Sequence, residues 1–280
     1  METEETYNKN ISACYVEDDI ASRLIVATMT VCAKLGTSID LLKIFDYYNS
    51  NKLNFFELNY VPNSKHSTVK AFYNCLTVTF YINKTKISAK VFPNGSIQIP
   101  GCVNYDIIYK SSDMIHKFIS VMAERCEGTV IQDINNFSVQ NIRIVNIISN
   151  FTFNYPIIQE RLKNIINRNR FEGIINDTNV WRIASFQPEK YSGINIKYFT
   201  LKFRKQYSEK FLKKEKIPSK LDGQISIFVF KSGKGTITGS KNTEELLESY
   251  MAIVNVLRTY QDELFIKDFQ ETGNKLLRIS

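Results

Sequence analysis

Apolar and polar positions follow two periods along this chain, and the places where one gives way to the other mark its elements. The clearest change falls in residues 225–252, ISIFVFKSGKGTITGSKNTEELLESYMA. Ile225 to Phe230 is a β-branched and aromatic run of strand length, and Ser232-Gly233-Lys234-Gly235 is turn chemistry. Thr236-Ile237-Thr238 returns as a second strand, closed by Gly239. Asn242, with Glu245 three residues on, opens a capped helix. Leu246, Leu247, Tyr250, Ile253, Val254 and Leu257 then recur at spacings of three and four, one apolar stripe of that helix. The unit is a hairpin followed by a helix.

Residues 86–103, KISAKVFPNGSIQIPGCV, give strand, turn, strand and glycine in the same order. Phe92, Gly95 and Gly101 stand where Phe230, Gly233 and Gly239 stand, each pair 138 positions apart. A helical stripe follows here too, through Met114, Ile115, Phe118, Ile119 and Met122. Two such hairpins, each leading into an amphipathic helix, predict a duplicated domain.

The remaining pattern extends the duplication. Arg23 to Val31 and Phe72 to Ile82 are strand-like, with a short helix between them opened by Ser38 and carrying Ile39, Leu42, Phe45 and Tyr48. Asn49 to His66 is loop-like. In the second half Val139 to Phe153 is mostly strand. Pro156 sits in the first turn of a helix with Ile157, Ile158, Arg161, Leu162, Ile165 and Ile166. Ile194 to Phe203 is a further strand. The expected divisions are an acidic flexible arm at 1–21, a first repeat at 22–130, a second at 131–265 and a tail at 266–280. Antiparallel strands with helices on one side make an α+β layer pair. Along Ile225 to Phe230, apolar residues lie on both sides of the alternation: Ile225, Ile227 and Val229 against Phe228 and Phe230. The face away from the helices is therefore either a partner surface or a core face covered by loops.

Charge adds a direction to this picture. Lys and Arg exceed Asp and Glu by 36 to 28, a net charge of +8, which favours polyanionic partners. Residues 201–220 hold eight basic residues and two acids; this lysine-rich insertion is a solvated loop or a phosphate-contacting one. The five cysteines have no CxxC or zinc-ligand spacing, and with two histidines in the chain no metal site is expected. No apolar run approaches the roughly 18 residues of a membrane helix, and the acidic N-terminus lacks a signal-peptide core. A soluble intracellular protein without membrane contact is expected. The glycines of SGKGTITGSK do not match a phosphate-binding loop, and no hydrolase or metalloprotease motif occurs, so neither catalysis nor a cofactor is expected.

The second hairpin, IFVFKSGKGTITGSKNTEE at 227–245, resembles the TATA-box-binding protein family: an apolar strand ending in Phe, a Ser-Gly-Lys turn, a strand ending in Thr-Gly and an acidic helix start. AKVFPNGSIQIPGC at 89–102 is a degraded copy. Ile25-Val26-Ala27-Thr28 resembles the family's opening strand. Val145-Asn146-Ile147-Ile148-Ser149, leading to Tyr155-Pro156-Ile157, resembles the opening of its second repeat. Phe186 to Gly193 resembles the segment Tyr-Glu-Pro-Glu-Leu-Phe-Pro-Gly. The resemblance runs over residues 22–262.

The resemblance implies a saddle, two pseudo-symmetric halves sharing one curved antiparallel sheet with helices on the convex side. It implies a concave face that lies in the minor groove of A·T-rich promoter DNA and bends it. Carried over residue by residue, the wedges are Phe92, Phe230, Tyr191 and, in the looser first half, Phe72. The groove face comprises Val26, Thr28, Asn146, Ile148, Phe228, Thr236 and Thr238, with Lys197 and Lys241 at phosphates. The implied partners are double-stranded DNA, a transcription factor IIB-like factor and RNA polymerase. Leu24, Pro100 and Gln98 depart from the family pattern in the first half, and Tyr191 adds a hydroxyl to a wedge. Val139-Gln140-Asn141 imitates the family's Gln-Asn five residues too early and is a decoy. Such divergence resembles the versions found in large DNA viruses, which would work in the nucleus or at a cytoplasmic replication site. The alternative implied by the departures is an interaction module of the initiation machinery that kept the fold and lost autonomous DNA binding.

Overall fold

A computed structural model describes residue 21 and residues 24–61, 74–168, 182–205 and 224–266. The acidic arm up to residue 20, Phe72, most of the lysine-rich insertion and the tail beyond residue 266 lie outside the described residues, while Ala21, expected to end the flexible arm, is buried in a bridge to Phe153. The chain divides into two compact units, Thr28–Asn146 and Met1–Ala27 with Ile147–Ser280.

The first unit takes in β1 (Ile25–Lys34) from Thr28 onward, α1 (Leu41–Ser50), β2 (Glu57–Val61) and β3 (Cys75–Ile82). It continues with β4 (Thr85–Val91), β5 (Ser96–Cys102) and α2 (Tyr105–Arg125). Its strands run antiparallel in the order β2-β3-β4-β5-β1, with α2 packed on β3, β4 and β5 and α1 on β2 and β3. The second unit uses β6 (Gln140–Thr152) from Ile147, α3 (Gln159–Arg168), β7 (Arg182–Ser185) and β8 (Gly193–Phe199). β9 (Gln224–Phe230), β10 (Lys234–Ser240), α4 (Thr243–Thr259) and α5 (Gln261–Leu264) complete it. Its order is β6-β10-β9-β8-β7, again antiparallel, with α4 on β10 and α3 on β7 and β8. Each unit is thus an α+β layer pair, as the pattern of strands and stripes predicts.

The duplication extends to individual hydrogen bonds. Leu35 N–H donates to the Gly95 carbonyl and Phe153 N–H to that of Gly233, both at 2.8 Å. Ile39 N–H reaches the Pro93 carbonyl at 2.8 Å and Ile157 N–H that of Lys231 at 2.9 Å. The hairpins and the long helices α2 and α4 repeat with an offset of 138 residues, the preceding strands and the short helices α1 and α3 with one of 118, because the second unit has longer connections between its strands. Gly95 and Gly233 hold φ of +73° and +84°. A Cβ on Gly95 would strike the Thr37 carbonyl, and one on Gly233 would lie 2.7 Å from the carbonyls of Phe153 and Tyr155. Only glycine combines that φ with so close an approach.

Four of the expected elements differ in the structure; the strand expected over Ile194 to Phe203 ends at Phe199, and residues 201–205 are helical. α1 starts at Leu41 rather than near Ser38, because Asp40 caps it by accepting from Lys43 N–H at 3.0 Å. Its buried stripe is Leu41, Ile44 and Tyr48; Leu42 is exposed, and Ile39 bridges Ile131 instead. Pro156 precedes α3 rather than opening it, since Ile157 is taken up by a bridge to Phe265. The segment expected to be loop before His66 contains the edge strand β2, which pairs with β3 from Glu57↔Thr79 to Val61↔Cys75.

Candidate nucleic-acid interface

Strand alternation sorts the second unit's residues onto two faces. Ile225, Ile227, Val229, Ile237, Ile194 and Ile196 are buried on the helix side. Ser226, Phe228, Phe230, Thr236 and Thr238 point the other way and are half-buried. The register arranges this second face in rows. Asn195, Phe228, Thr236 and Asn150 are successive cross-strand neighbours on β8, β9, β10 and β6. Lys197, Ser226, Thr238 and Ile148 form the adjacent row. Two polar bonds tie the rows internally: Thr236 Oγ1 donates to Asn150 Oδ1 at 3.0 Å and Lys197 Nζ to Ser226 Oγ at 2.6 Å.

An aromatic cluster stands at the hairpin end of these rows. The Tyr191 ring meets Phe228 at 5.6 Å and 75°, and Phe230 at 5.8 Å and 62°, both edge contacts. Gly193 pairs with Phe230 across β8 and β9, and its lack of a side chain lets both rings close over the backbone. Tyr191 remains 48% exposed, so the cluster presents ring surface rather than burying it. A depression of about 690 Å³ opens beside Phe230, lined also by Asn150, Thr152, Ser192 and Lys234.

The corresponding face of the first unit has another chemistry. Thr77, Lys90, Gln98 and Cys32 are successive neighbours on β3, β4, β5 and β1, with Thr79 and Ser88 in the next row, hydroxyls 3.1 Å apart. Phe92 closes β4 as Phe230 closes β9 and borders a depression of about 680 Å³ with Lys34, Gln98, Asn141 and Arg143. Lys90 and Gln98 occupy the places of Phe228 and Thr236, 138 residues on.

The structure therefore brings Tyr191, Phe228, Phe230, Thr236, Thr238, Ile148 and Lys197 onto one face of one unit. Phe92 is on the equivalent face of the other. Val26 and Thr28 are half-buried on β1 and share its alternation, and the Thr28 hydroxyl has no hydrogen-bond partner among the described residues. Asn146 is half-buried on β6. Strand register aligns Asn146 with Thr28, four residues beyond Leu24, because Cys32↔Gln98 matches Asn150↔Thr236. Lys241 is exposed at the start of α4, where its N–H donates to Glu245 Oε2 at 2.9 Å. Lys197 lies within the face rather than at its margin, and burial lowers its ammonium pKa from the ordinary lysine value. Asn150, Asn195, Ser226 and Gly193 are members of the face that sequence reading did not single out. Continuing the period-two alternation along their own strands from Ile148, Lys197 and Phe228 would have found the first three.

No protein-family model matches the sequence. Among solved structures, the fold is that of the Methanococcus jannaschii TBP, with a TM-score of 0.51, 16% identity and coverage of 84% of this chain and 98% of that one. Among curated proteins, a "TATA-box-binding protein-like" chain of Acanthamoeba polyphaga mimivirus is 24% identical over 274 residues, 88% of this chain and 68% of its own. The chain is thus TATA-box-binding-protein-like in fold and in sequence. No helix among the described residues is long and apolar enough to cross a membrane.

Proposed function

We propose that this chain is a non-catalytic transcription initiation factor that binds A·T-rich promoter DNA in the minor groove and bends it. It would recruit RNA polymerase through a transcription factor IIB-like factor, in the nucleus or at a cytoplasmic site of viral replication. The observation that carries this reading is the cluster of Tyr191, Phe228 and Phe230, held half-exposed on the helix-free face of a unit with this fold. Water-accessible aromatic surface of this kind is costly unless a partner covers it. At A·T pairs the minor-groove floor carries acceptors and no amino group, which suits apolar Phe228 and Ile148 beside the hydroxyls of Thr236, Thr238 and Ser226. Phe230 and Tyr191, with Phe92 and Phe72 in the other repeat, would enter base steps and kink the duplex. Lys197 and Lys241 would neutralise phosphates.

The test is affinity and end-to-end energy transfer on doubly labelled duplexes of about 30 base pairs, A·T-rich against G·C-only, over a salt series. Preference for the A·T duplex with a shortened end-to-end distance, both lost in Phe230→Ala, is the expected result. Equal, salt-sensitive binding without bending would reject it. Gln98 and Pro100 favour a second reading, an interaction module of the initiation machinery with weak or no autonomous sequence-specific DNA binding. That reading predicts weak DNA affinity at most, with neither A·T preference nor bending.

A further inference from the structure

The two helix-free faces occupy equivalent places in equivalent sheets, yet they carry different side chains at their centres. In the second unit Phe228 stands between Asn195 and Thr236, and Ile148 is the apolar member of the next row. In the first unit Lys90 stands between Thr77 and Gln98, and Thr30, between Met29 and Val31 on β1, is the residue 118 positions before Ile148. These are substitutions of kind, not of size: an aromatic ring by an ammonium, a branched alkyl by a hydroxyl.

We propose that the two units accept different base composition. Phe228 and Ile148 would restrict the second unit to A·T pairs, while Lys90 and Gln98 let the first unit accept G·C pairs as well. This rests on the minor-groove reading above. The physical distinction is the guanine amino group, the one donor that a G·C pair adds to the minor-groove floor. Against a ring and an alkyl group it loses its water, and neither of those two side chains offers it an acceptor. Phe228 keeps its ring on this face between Asn195 and Thr236, with Tyr191 edge-on to it at 5.6 Å. A glutamine amide carries both an acceptor for that amino group and donors for the oxygen and nitrogen acceptors of any pair. Gln98 lies between Lys90 and Cys32 on the first unit's face, on the opposite side of β5 from buried Ile97 and Ile99. The lysine adds a long cationic arm that serves acceptors or phosphates of either composition.

The experiment compares three duplexes of equal length with the full chain: A·T pairs throughout the core, A·T in one half and G·C in the other, and G·C throughout. The hybrid is expected to bind within about threefold of the A·T duplex, and the G·C duplex about thirtyfold or more weakly. Lys90→Phe with Gln98→Thr should weaken the hybrid about tenfold relative to the A·T duplex. The reciprocal change, Phe228→Lys with Thr236→Gln, should narrow the gap between the A·T and G·C duplexes. It decides the matter alone if circular dichroism shows the first variant unfolded. A hybrid midway between the two uniform duplexes, with its ratio unmoved by either variant, would overturn the asymmetry and leave minor-groove binding standing. Failure of the A·T duplex to bind would overturn minor-groove binding itself, and this inference with it.

Discussion

Tyr191 and Phe230 meet edge to face at 5.8 Å directly over Gly193. A methyl group at residue 193 would lie 2.9 Å from the Cε1 atoms of both rings. The glycine is therefore the seat of the aromatic cluster, and its conformation is an ordinary strand one that alanine could adopt.

Gly193→Ala separates ring placement from folding. Both rings are partly exposed and can swing outward, so the expected loss of stability in urea is about 1 kcal/mol. The DNA response should change far more. A 2-aminopurine probe at the terminal step of an A·T site reports unstacking, and its fluorescence rise should be largely abolished. A rise equal to that of the parent protein would show that the seat does not govern insertion.

Lys197 offers a second test, with stability and binding pulling apart. Burial disfavours its charged form in the folded chain, lowering its pKa from the ordinary 10.5. The unfolded chain therefore holds the proton more tightly. The penalty is in full force below the folded value and is relieved as pH rises through it toward 10.5, so this lysine makes stability climb with pH there. Lys197→Met should flatten that climb. If Lys197 neutralises a phosphate, the same variant should reduce the slope of log affinity against log salt by about one. An unchanged slope with a changed A·T preference would make it a base-edge donor instead.

Much of this architecture was legible because it repeats. The hairpin phenylalanines, the turn glycines and the stripes Leu246-Tyr250-Ile253-Leu257 and Ile115-Phe118-Ile119-Met122 follow strict periods, and their burial agrees. What escaped has local physical causes. Ser38 and Asp40 are both sound cap residues, and only the pairing of Ile39 with Ile131 decides between them. β7, four residues long, is too short to show a period. The face itself was half legible. Aromatic members stood out, while Asn150, Asn195 and Ser226 looked like any solvated polar position until the register put them in rows. Charge in a hairpin is commonplace, so Lys90 gives no signal in the sequence alone; its meaning comes from standing where Phe228 stands.

The two caps give a test of the duplication itself. Asn104 accepts from Ile107 N–H at 2.9 Å and Asn242 from Glu245 N–H at 2.8 Å, 138 residues apart. Asn104→Ala and Asn242→Ala should each cost about 1 kcal/mol in urea unfolding. The double variant should cost their sum, because no described bond joins the two caps. Strong non-additivity would mean that the two caps are energetically coupled.

Cys102 supplies a last prediction, on the alkaline side. It is fully buried at the end of β5, its thiol 3.8 Å from the Ile99 carbonyl, and burial pushes its pKa up to about 11 from 9.0. The unfolded chain loses this proton first. The thiol's contribution to stability is thus complete below pH 9.0 and is lost progressively as pH rises toward about 11. Its direction is opposite to that of Lys197, so the wild-type curve mixes the two. Comparing Cys102→Ala with the parent in a Lys197→Met background isolates the thiol: the alkaline fall should be steeper with Cys102 than without it, the remainder coming from Cys32, Cys75 and Cys126, whose thiols burial also pushes up. In the folded protein at pH 8, Cys102 should also resist thiol labelling for as long as the sheet stays closed. Labelling at the rate of an exposed cysteine would show that β5 opens locally, and the first unit's face could then not hold Gln98 fixed against a duplex.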